Sequence, residues 1–274
     1  MAKFRLGCVP YVNAAPLVWW FESLGENSPV EIFYDVPSRL PALLDEGAVD
    51  AILVSSIYAL THPGLNVADG VGIVSSGPVE SVRVLSNVPY GNIQSLALDS
   101  SSMTSNLLAL ILLKEQFGVV PATLSMQPDP QKMLEVCDAC VVIGDIGMTA
   151  HAPGSRVLDL GEAWTDSTGL PFIWALWVGK ERLDSELAGL LTLAHKNALG
   201  AESWEKVIQF ASTKVEWDVA TVDRYLTTCV QCTVTDSAKE GLNAYASKVH
   251  SVLRKEGLRP IQWVAPAQST TPSA

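Results

Sequence analysis

The sequence predicts an α/β protein with two lobes, two mixed or parallel sheets, and a helical C-terminal region packed on the first lobe. Two observations predict this fold class. Short apolar runs alternate with stretches of helical spacing in two series, the second beginning near residue 84. From about residue 183 the helical spacing continues with few strand signals. Alternating strands and helices favour parallel sheets with right-handed crossovers.

The first series contains three predicted strands and two predicted helices. The strands are expected at residues 4–9, 30–36 and 49–54. The helices are expected at residues 15–24 and 37–46. Pro16 would lie in the first turn of its helix, where the missing N–H breaks no hydrogen bond. The last strand is a continuous apolar run, which is typical of a strand buried on both faces.

The second series has the same alternation. Strands are expected at residues 95–98, 121–126, 139–143 and 172–178. Helices are expected at residues 106–117, 130–136 and 159–168. Residues 82–86 and 174–178 lie between the two series and are the predicted hinge strands. The first lobe is therefore expected to contain residues 1–83 and 176–264, and the second lobe residues 84–175.

The C-terminal part is predicted to be helical and to end in a disordered tail. Helices are expected at residues 183–199, 203–212, 219–227 and 236–255. Residues 265–274 are rich in alanine, proline, glutamine, serine and threonine, a composition that favours disorder at a chain end.

Composition and charge exclude several classes of protein. Of the 274 residues, 48% are hydrophobic and 17% charged, which is typical of a globular chain. The net charge of −11 argues against a nucleic-acid partner, because neutralising phosphates needs a basic face. No apolar run reaches the roughly 18 residues of a membrane span, and the N-terminus lacks a signal-peptide core. We expect a cytoplasmic protein without a membrane partner, either a monomer or a homodimer.

Five cysteines include two C-x-x-C pairs, at Cys137–Cys140 and Cys229–Cys232. Four thiolates could bind zinc, but these pairs are much farther apart than the pairs of compact zinc ribbons. Cys140 also enters an apolar run, where a free thiol behaves as a small hydrophobic group. We expect reduced, mostly buried thiols and no metal site.

Polar loops follow four of the predicted strands. They contain residues 10–13, Ser55 with Ser56, residues 100–102 with Thr104 and Ser105, and Gly144 with Asp145. In open α/β sheets the ligand binds beyond the carboxyl ends of the strands. Hydroxyl groups and free N–H groups at helix starts bind carboxylates or phosphates. The sequence therefore predicts a small anionic ligand between the lobes.

Single residues in these loops remain open to simpler interpretations. Each serine alone could be a helix N-cap. Asn13 could fix a hydroxyl or carboxylate of the ligand, or bond its own backbone in a turn. Asp145 could be a general base or a helix cap. Arg83, on a predicted hinge strand, would need an anion, and Glu80 competes with the ligand for that role.

The familiar catalytic motifs are absent from the sequence. It has no G-x-S-x-G, Walker A or G-x-G-x-x-G loop, and its four histidines fall in loops or tail helices. His151 alone lies near the half that forms the cleft. The residues by themselves leave an enzyme and a binding module undecided.

A series of sequence blocks keeps its order over about two thirds of the chain. The blocks are residues 7–17 (GCVPYVNAAPL), 47–50 with 55–56, 77–83 (GPVESVR), 98–105 (LDSSSMTS), 143–145 (IGD), 159–164 (DLGEAW) and 169–172 (GLPF). Together they resemble the menaquinone-pathway chorismate dehydratases. Val12 stands where leucine is commoner in that family, and Pro10 precedes the tyrosine. Neither departure removes a polar group.

The resemblance implies a type II periplasmic-binding-protein-like fold used for catalysis. The implied reaction removes water from chorismate to give 3-enolpyruvylbenzoate, which opens the futalosine route to menaquinone. It needs no cofactor, because the loss of water makes the ring aromatic. The protein has to hold the ring, place a base near the departing proton and assist the loss of hydroxide.

The resemblance also implies roles for individual residues. Asn13 would orient the reacting groups, and the base would be Asp145 or the substrate's own enolpyruvyl carboxylate. Ser81 would hold carboxylates together with the loop at the start of the second-lobe helix, and Arg83 would assist. The full expected substrate site consists of Tyr11, Ser55, Ser56, Ser81, Arg83, Ser101, Ser102, Met103, Thr104 and Gly144.

Two other functions compete with this one. A sister lyase of the same pathway and fold acts on cyclic dehypoxanthinylfutalosine, and we would expect a histidine in its cleft. A cytosolic binding protein for a small carboxylate would bind chorismate and leave it intact.

Overall fold

The computed structural model describes residues 3–150 and 153–267, and these contain twelve strands and eleven α-helices. The strands are β1 (Phe4–Cys8), β2 (Val30–Tyr34), β3 (Ala51–Ser55), β4 (Asn66–Ser75), β5 (Arg83–Ser86), β6 (Ser95–Asp99), β7 (Ala122–Met126), β8 (Ala139–Val142), β9 (Arg156–Asp159), β10 (Phe172–Gly179), β11 (Gln231–Thr233) and β12 (Gln262–Val264). The helices are α1 (Ala15–Ser23), α2 (Leu40–Asp45), α3 (Ser56–Thr61), α4 (Thr104–Phe117), α5 (Pro130–Val136), α6 (Gly144–Thr149), α7 (Leu160–Thr168), α8 (Ser185–Ala198), α9 (Ala201–Ser212), α10 (Val219–Arg224) and α11 (Asp236–Leu253).

The strands form two mixed sheets. The first sheet has the order β11-β4-β10-β3-β1-β2, and β12 pairs with β4. In this sheet β1 runs parallel to β2 and β3, whereas β10 runs antiparallel to β3 and β4. The second sheet has the order β7-β6-β8-β5-β9, and β5 runs antiparallel to both of its neighbours. The parallel strands β1, β3, β6 and β8 end towards the cleft between the sheets.

The chain passes between the two sheets twice. It leaves the first sheet after β4, through residues 76–82, and returns after β9, through α7. The strands predicted as hinges, β5 and β10, each belong to one sheet, and the two passages come directly before them. Movement of the lobes about these passages stays a prediction.

The second predicted helix begins later than expected. It starts at Leu40 rather than at residue 37, with Pro41 in its first turn. Proline lacks an N–H and its ring clashes with the carbonyl of the preceding turn, so it is tolerated only at the start of a helix. A helix beginning at residue 37 would place Pro41 in its interior, and the shorter helix avoids this.

The ten-residue strand β4 is missing from the sequence prediction. Its segment contains Asp69, Gly70 and Gly72, which normally indicate a turn. Its pairing with β10 and with β11 shows register shifts, so the strand is irregular. A Cβ at Gly72 would lie 2.7 Å from the carbonyl oxygen of Ala175 on β10. Glycine is therefore needed where the two backbones come this close.

The C-terminal helices contact both lobes. The helices α8 and α9 pack on α1, whereas α11 packs on β10 and also on α4 of the second lobe. Lys248 on α11 forms an ion pair with Glu115 on α4 at 2.8 Å. The C-terminal helices therefore pack on the first lobe, and α11 also contacts the second lobe. In the part of the chain described, no helix is long and apolar enough to cross a bilayer.

The predicted disordered tail falls mostly outside the described residues. Residues 265–267 are described, and the N–H of Ala267 donates to the carbonyl of Ser185 at 2.8 Å. These first tail residues therefore pack against the start of α8.

Candidate active site

A cleft between the two sheets collects most of the predicted site residues. The cleft is open to solvent, and its empty space including the open mouth is about 680 Å³. The predicted residues that line it are Tyr11, Asn13, Ser55, Ser81, Ser101, Ser102, Thr104 and Gly144. They lie on loops that follow β1, β3, β6 and β8 and on the passage after β4. The cleft therefore lies beyond the carboxyl ends of these strands, where open α/β sheets bind their ligands.

One wall of the cleft, here called the first wall, consists of Asn13 and Ser81, and the buried Tyr225 lies behind them. Asn13 lies in a single 3₁₀ turn, Val12–Ala14, directly before α1. Its side-chain oxygen is buried and has no hydrogen-bond partner among the described residues. Its amide group lies beside the phenol of Tyr225 and lowers the pKa of that phenol, which burial raises overall. Because a buried acceptor without a partner costs free energy, the Asn13 oxygen is available for a donor on a ligand.

Ser81 is held by an unusual backbone conformation in the first passage between the sheets. Glu80, just before it, has a φ of 57°, a left-handed conformation that side chains other than glycine rarely adopt. The Asp159 carboxylate stabilises this turn by accepting from the N–H groups of Val79 at 3.1 Å and Glu80 at 2.6 Å. The Ser81 hydroxyl accepts a hydrogen bond from Tyr225 at 2.8 Å.

Helix α6 lies directly against this passage. A Cβ at Gly147 would lie 2.1 Å from the Ser81 carbonyl oxygen, so only glycine fits there. The Arg83 guanidinium donates to the Gly147 carbonyl at 3.4 Å. Arg83 is outside the cleft lining and contacts α6 instead of facing the ligand space.

The opposite wall, here called the second wall, is the start of α4 with Ser101, Ser102, Thr104 and Ser105. The Ser101 hydroxyl donates to Asp99 at 2.6 Å, and the Ser102 hydroxyl accepts from the Ser105 N–H at 3.3 Å. The Thr104 hydroxyl accepts from the Ile57 N–H at 3.1 Å. Since these hydroxyls fix the loop, the second wall attracts an anion mainly through the positive end of a 14-residue helix.

Two further predicted residues lie behind or beside the cleft surface. Ser56 is fully buried, with its hydroxyl 3.4 Å from that of Thr104, so it supports the second wall from behind. Met103 is 49% exposed and lines a neighbouring cavity on the other side of the α4 start.

Asp145 lies in the first turn of α6 and is outside the cleft lining. Burial raises the pKa of its carboxyl to about 6, although the nearby Val12 N–H favours the ionised form. Its negative charge contributes to the raised pKa of Tyr11 and of Tyr225, so it lies close behind the first loop. At neutral pH the carboxyl is mostly ionised and ready to take up a proton as the pH falls.

The sequence analysis missed two aromatic residues, one that lines the cleft and one buried behind it. Trp174 lines the cleft, and its indole N–H donates to the Ser75 hydroxyl at 2.9 Å. It lies within an apolar strand, where nothing in the pattern distinguishes a cleft residue from a core residue. Tyr225 comes 144 residues after Ser81, in a C-terminal region that was predicted only as helix. No local pattern could have connected it to the site.

Charged groups are scarce in the cleft. No lysine, arginine or histidine among the described residues lines it. His151 lies outside the described residues. An anion in this cleft would therefore meet helix ends, amide groups and hydroxyls rather than a cationic side chain.

The two C-x-x-C pairs lie on separate parts of the fold. Cys137 and Cys140 are at the start of β8 in the second sheet, whereas Cys229 and Cys232 flank the start of β11 in the first sheet. All four are buried free thiols, and burial raises the pKa of Cys140 and Cys232 to about 12. No group of three or more metal-binding side chains occurs among the residues described.

Comparisons with known proteins agree with the resemblance seen in the sequence. A family model described as menaquinone biosynthesis matches residues 4–251. The chain is 30% identical over 195 residues to the chorismate dehydratase of Thermus thermophilus, covering 65% of this chain and 70% of that protein. It is 29% identical over 174 residues to the chorismate dehydratase of Campylobacter jejuni, covering 62% of this chain and 64% of that one, just under two thirds of its length.

Solved structures confirm the fold class. A protein from Archaeoglobus fulgidus matches with a TM-score of 0.73 at 18% identity, covering 93% of this chain and 99% of its own. The ligand-binding component of an ABC-type import system from Staphylococcus aureus matches with a TM-score of 0.67 at 12% identity, covering 97% of both chains. An alkanesulfonate-binding protein from Xanthomonas axonopodis, bound to MOPS, has a TM-score of 0.64 at 14% identity and covers 95% of both chains. These likenesses establish a periplasmic-binding-protein-like fold.

Proposed function

The chain belongs to the menaquinone biosynthesis family, and from that premise we propose that it is a chorismate dehydratase. As a carbon–oxygen lyase it would remove water from chorismate and release 3-enolpyruvylbenzoate, in the cytoplasm, for the futalosine route to menaquinone. The observation that carries the proposal is that the family-like sequence blocks meet at one cleft, where the Asn13 acceptor and the Ser81 hydroxyl face the start of α4.

The proposed reaction balances without a co-reactant. The C–H bond breaks at the ring carbon that carries the enolpyruvyl ether, and its electron pair forms a new ring double bond. The C–O bond to the neighbouring hydroxyl breaks, and the leaving hydroxide combines with the removed proton as water. The ring becomes aromatic, so the reaction is favourable and neither oxidises nor reduces the substrate overall.

The two walls suggest separate tasks in this reaction. The second wall would hold a substrate carboxylate at the α4 N-terminus, where the helix dipole favours negative charge. Asn13 would accept a hydrogen bond from the substrate hydroxyl and keep it aligned, because its oxygen has no partner among the described residues. Ser81 would donate to the same oxygen as it leaves. Tyr11, Ser55 and Gly144 would shape the remaining surface around the ring.

The position of Asp145 favours the substrate's own enolpyruvyl carboxylate as the base. Asp145 is outside the cleft lining, and its carboxylate lies near the Val12 N–H. A general base must come within hydrogen-bond reach of the proton that it removes. We propose that Asp145 acts through its charge, and that Arg83 fixes α6 against the first passage rather than binding the substrate.

The experiment that tests the function is direct conversion of chorismate. Purified protein is mixed with chorismate, and the products are separated by chromatography and identified by mass. We expect a product lighter than chorismate by one water, at a rate proportional to protein concentration. Heat-inactivated protein controls for spontaneous decay of chorismate.

Two other outcomes would each replace the proposal. Binding of chorismate without conversion, measured by calorimetry on the same preparation, would make the chain a binding protein. Conversion of cyclic dehypoxanthinylfutalosine instead of chorismate would make it the sister lyase.

A further inference from the structure

We propose that Tyr225, supplied by the C-terminal region, is a positioning residue that turns the Ser81 hydroxyl into a fixed donor aimed at the cleft. The inference rests on the proposed dehydratase function and extends it to a part of the chain outside the family-like blocks. Tyr225 is 1% exposed, and its hydroxyl lies 2.8 Å from the Ser81 oxygen.

The direction of the hydrogen bonds follows from the chemistry of the three groups. Asn13 lowers the pKa of Tyr225, as a donor beside the phenol oxygen does, and the NH₂ is the donor of its amide, so we infer that the NH₂ faces that oxygen. The phenol proton is then donated to Ser81. The Ser81 proton must go elsewhere, and no other hydrogen bond of this hydroxyl occurs within the described residues. Since Ser81 lines the cleft, the direction left for its proton is towards a ligand.

The same network fixes the orientation of Asn13. With its NH₂ on Tyr225, the amide presents its oxygen, which is the atom without a partner among the described residues. One tyrosine hydroxyl thus sets two groups in the cleft, an acceptor on Asn13 and a donor on Ser81. An acceptor and a donor side by side suit a hydroxyl that must be held first and then leave as hydroxide.

A neighbouring ion pair fastens Tyr225 to the passage that carries Ser81. Arg224 contacts Glu80 through two bonds, of 2.5 and 2.8 Å. Two consecutive residues of the C-terminal helical region therefore bind two consecutive residues of the passage. Tyr225 lies where α10 changes into a π-helical turn, Tyr225–Cys229, and such turns occur frequently at functional sites. Arg224 is about half exposed, so the ion pair locates the segment while the buried hydroxyl orients Ser81.

A double-mutant cycle tests the proposal. Tyr225→Phe, Ser81→Ala and the double variant are compared with the parent for kcat and KM on chorismate. Phenylalanine fills the same volume, so we expect a folded protein whose kcat is lower by about tenfold to a hundredfold and whose KM is within about threefold. Because Tyr225 acts through Ser81, the double variant should lose little more than Ser81→Ala alone, which is the sign of two coupled residues.

Tyr245 provides a matched control. It is also fully buried in the C-terminal region, but its hydroxyl donates to the backbone carbonyl of Thr104 at 3.0 Å. In the cycle of Tyr245→Phe with Ser81→Ala the effects on kcat should multiply. Thermal unfolding of both tyrosine variants separates a loss of stability, expected to be similar in the two, from a loss of rate specific to Tyr225→Phe.

The outcomes separate this proposal from the proposed function. An active parent protein whose Tyr225→Phe variant keeps the parent kcat, or whose effects multiply with Ser81→Ala, would overturn the role of Tyr225 only. A folded parent protein that leaves chorismate unchanged would overturn the dehydratase function and this inference with it.

Discussion

The two walls of the cleft use similar polar residues in opposite ways. In the second wall, the Ser101 hydroxyl donates to Asp99, whereas the Ser102 and Thr104 hydroxyls accept from backbone N–H groups of α4 and α3, so all three hold the wall in place. In the first wall, the Asn13 oxygen has no partner among the described residues, and the Ser81 hydroxyl accepts only from Tyr225. A polar lining therefore does not by itself make a surface reactive. What matters is which groups still lack partners when the protein has folded.

The largest loss of kcat is expected for a change in the first wall. Replacing Asn13 by alanine removes the acceptor that aligns the leaving hydroxyl and frees the Tyr225 oxygen. We expect kcat to fall by roughly 10²-fold, the loss that follows when a reacting group is misplaced by about 1 Å. The KM should change by less than about threefold, since the second wall still holds a carboxylate. Steady-state kinetics on chorismate would show this. A loss confined to KM would mean that Asn13 only binds.

The next prediction concerns Asp145, which lies behind the first wall. Its pKa of about 6 means that it becomes neutral as the pH falls through that value. A neutral carboxyl repels an anionic substrate less, so KM should fall several-fold between pH 7.5 and about pH 5. If the bound substrate shifts the pKa of Asp145 by one unit, KM should fall by up to about tenfold. Asp145→Asn should have the low KM at every pH and keep most of kcat. If kcat itself collapses in this variant and in acid, Asp145 is the base.

Thr104 tests the second wall, where the expected loss is mainly one of stability. Thr104→Val keeps the volume but leaves the buried Ile57 N–H without its acceptor. We expect the free energy of unfolding to fall by about 1–3 kcal/mol, measured by urea denaturation, and KM to rise while kcat stays within about threefold. The matched control is Thr192→Val, whose hydroxyl only bonds the preceding turn of its own helix. A large loss of kcat with normal stability would give Thr104 a direct chemical role.

Ser102 should give the smallest effect. It accepts from the Ser105 N–H in the first turn of α4 at 3.3 Å, a contact comparable to that of a capping side chain. Ser102→Ala should lower the free energy of unfolding by about 1 kcal/mol and raise KM slightly. Urea denaturation and kinetics on the same sample would measure both. A loss of kcat comparable to that of Asn13→Ala would abolish the distinction between the walls.

Much of the fold and of the site could be predicted because the physical signals are local. Buried strands appear as apolar runs, and parallel strands end at one edge of a sheet, which brings the loops at Asn13, Ser55, Ser101 and Gly144 together. Strand β4 was missed because Gly70 and Gly72 resemble turn signals, although Gly72 is required by the close approach to β10.

Contacts between distant segments could not be predicted. Met103 and Thr104 are adjacent in the sequence, yet only Thr104 faces the cleft, because the first turn of α4 directs them to different sides. Ser56 was expected to bind the ligand and instead supports Thr104. Tyr225 reaches Ser81 only through tertiary packing. A single sequence contains no signal for which hydroxyls remain free after folding.

The account can be tested most directly by a single-turnover experiment with enzyme in excess over chorismate, comparing the parent protein, Asn13→Ala and Ser102→Ala. We predict that the parent and Ser102→Ala convert chorismate to a product lighter by one water at similar rates. Asn13→Ala should bind chorismate and leave nearly all of it unchanged on the same timescale. Unchanged chorismate with the folded parent, or equal rates for the parent and Asn13→Ala, would contradict the account.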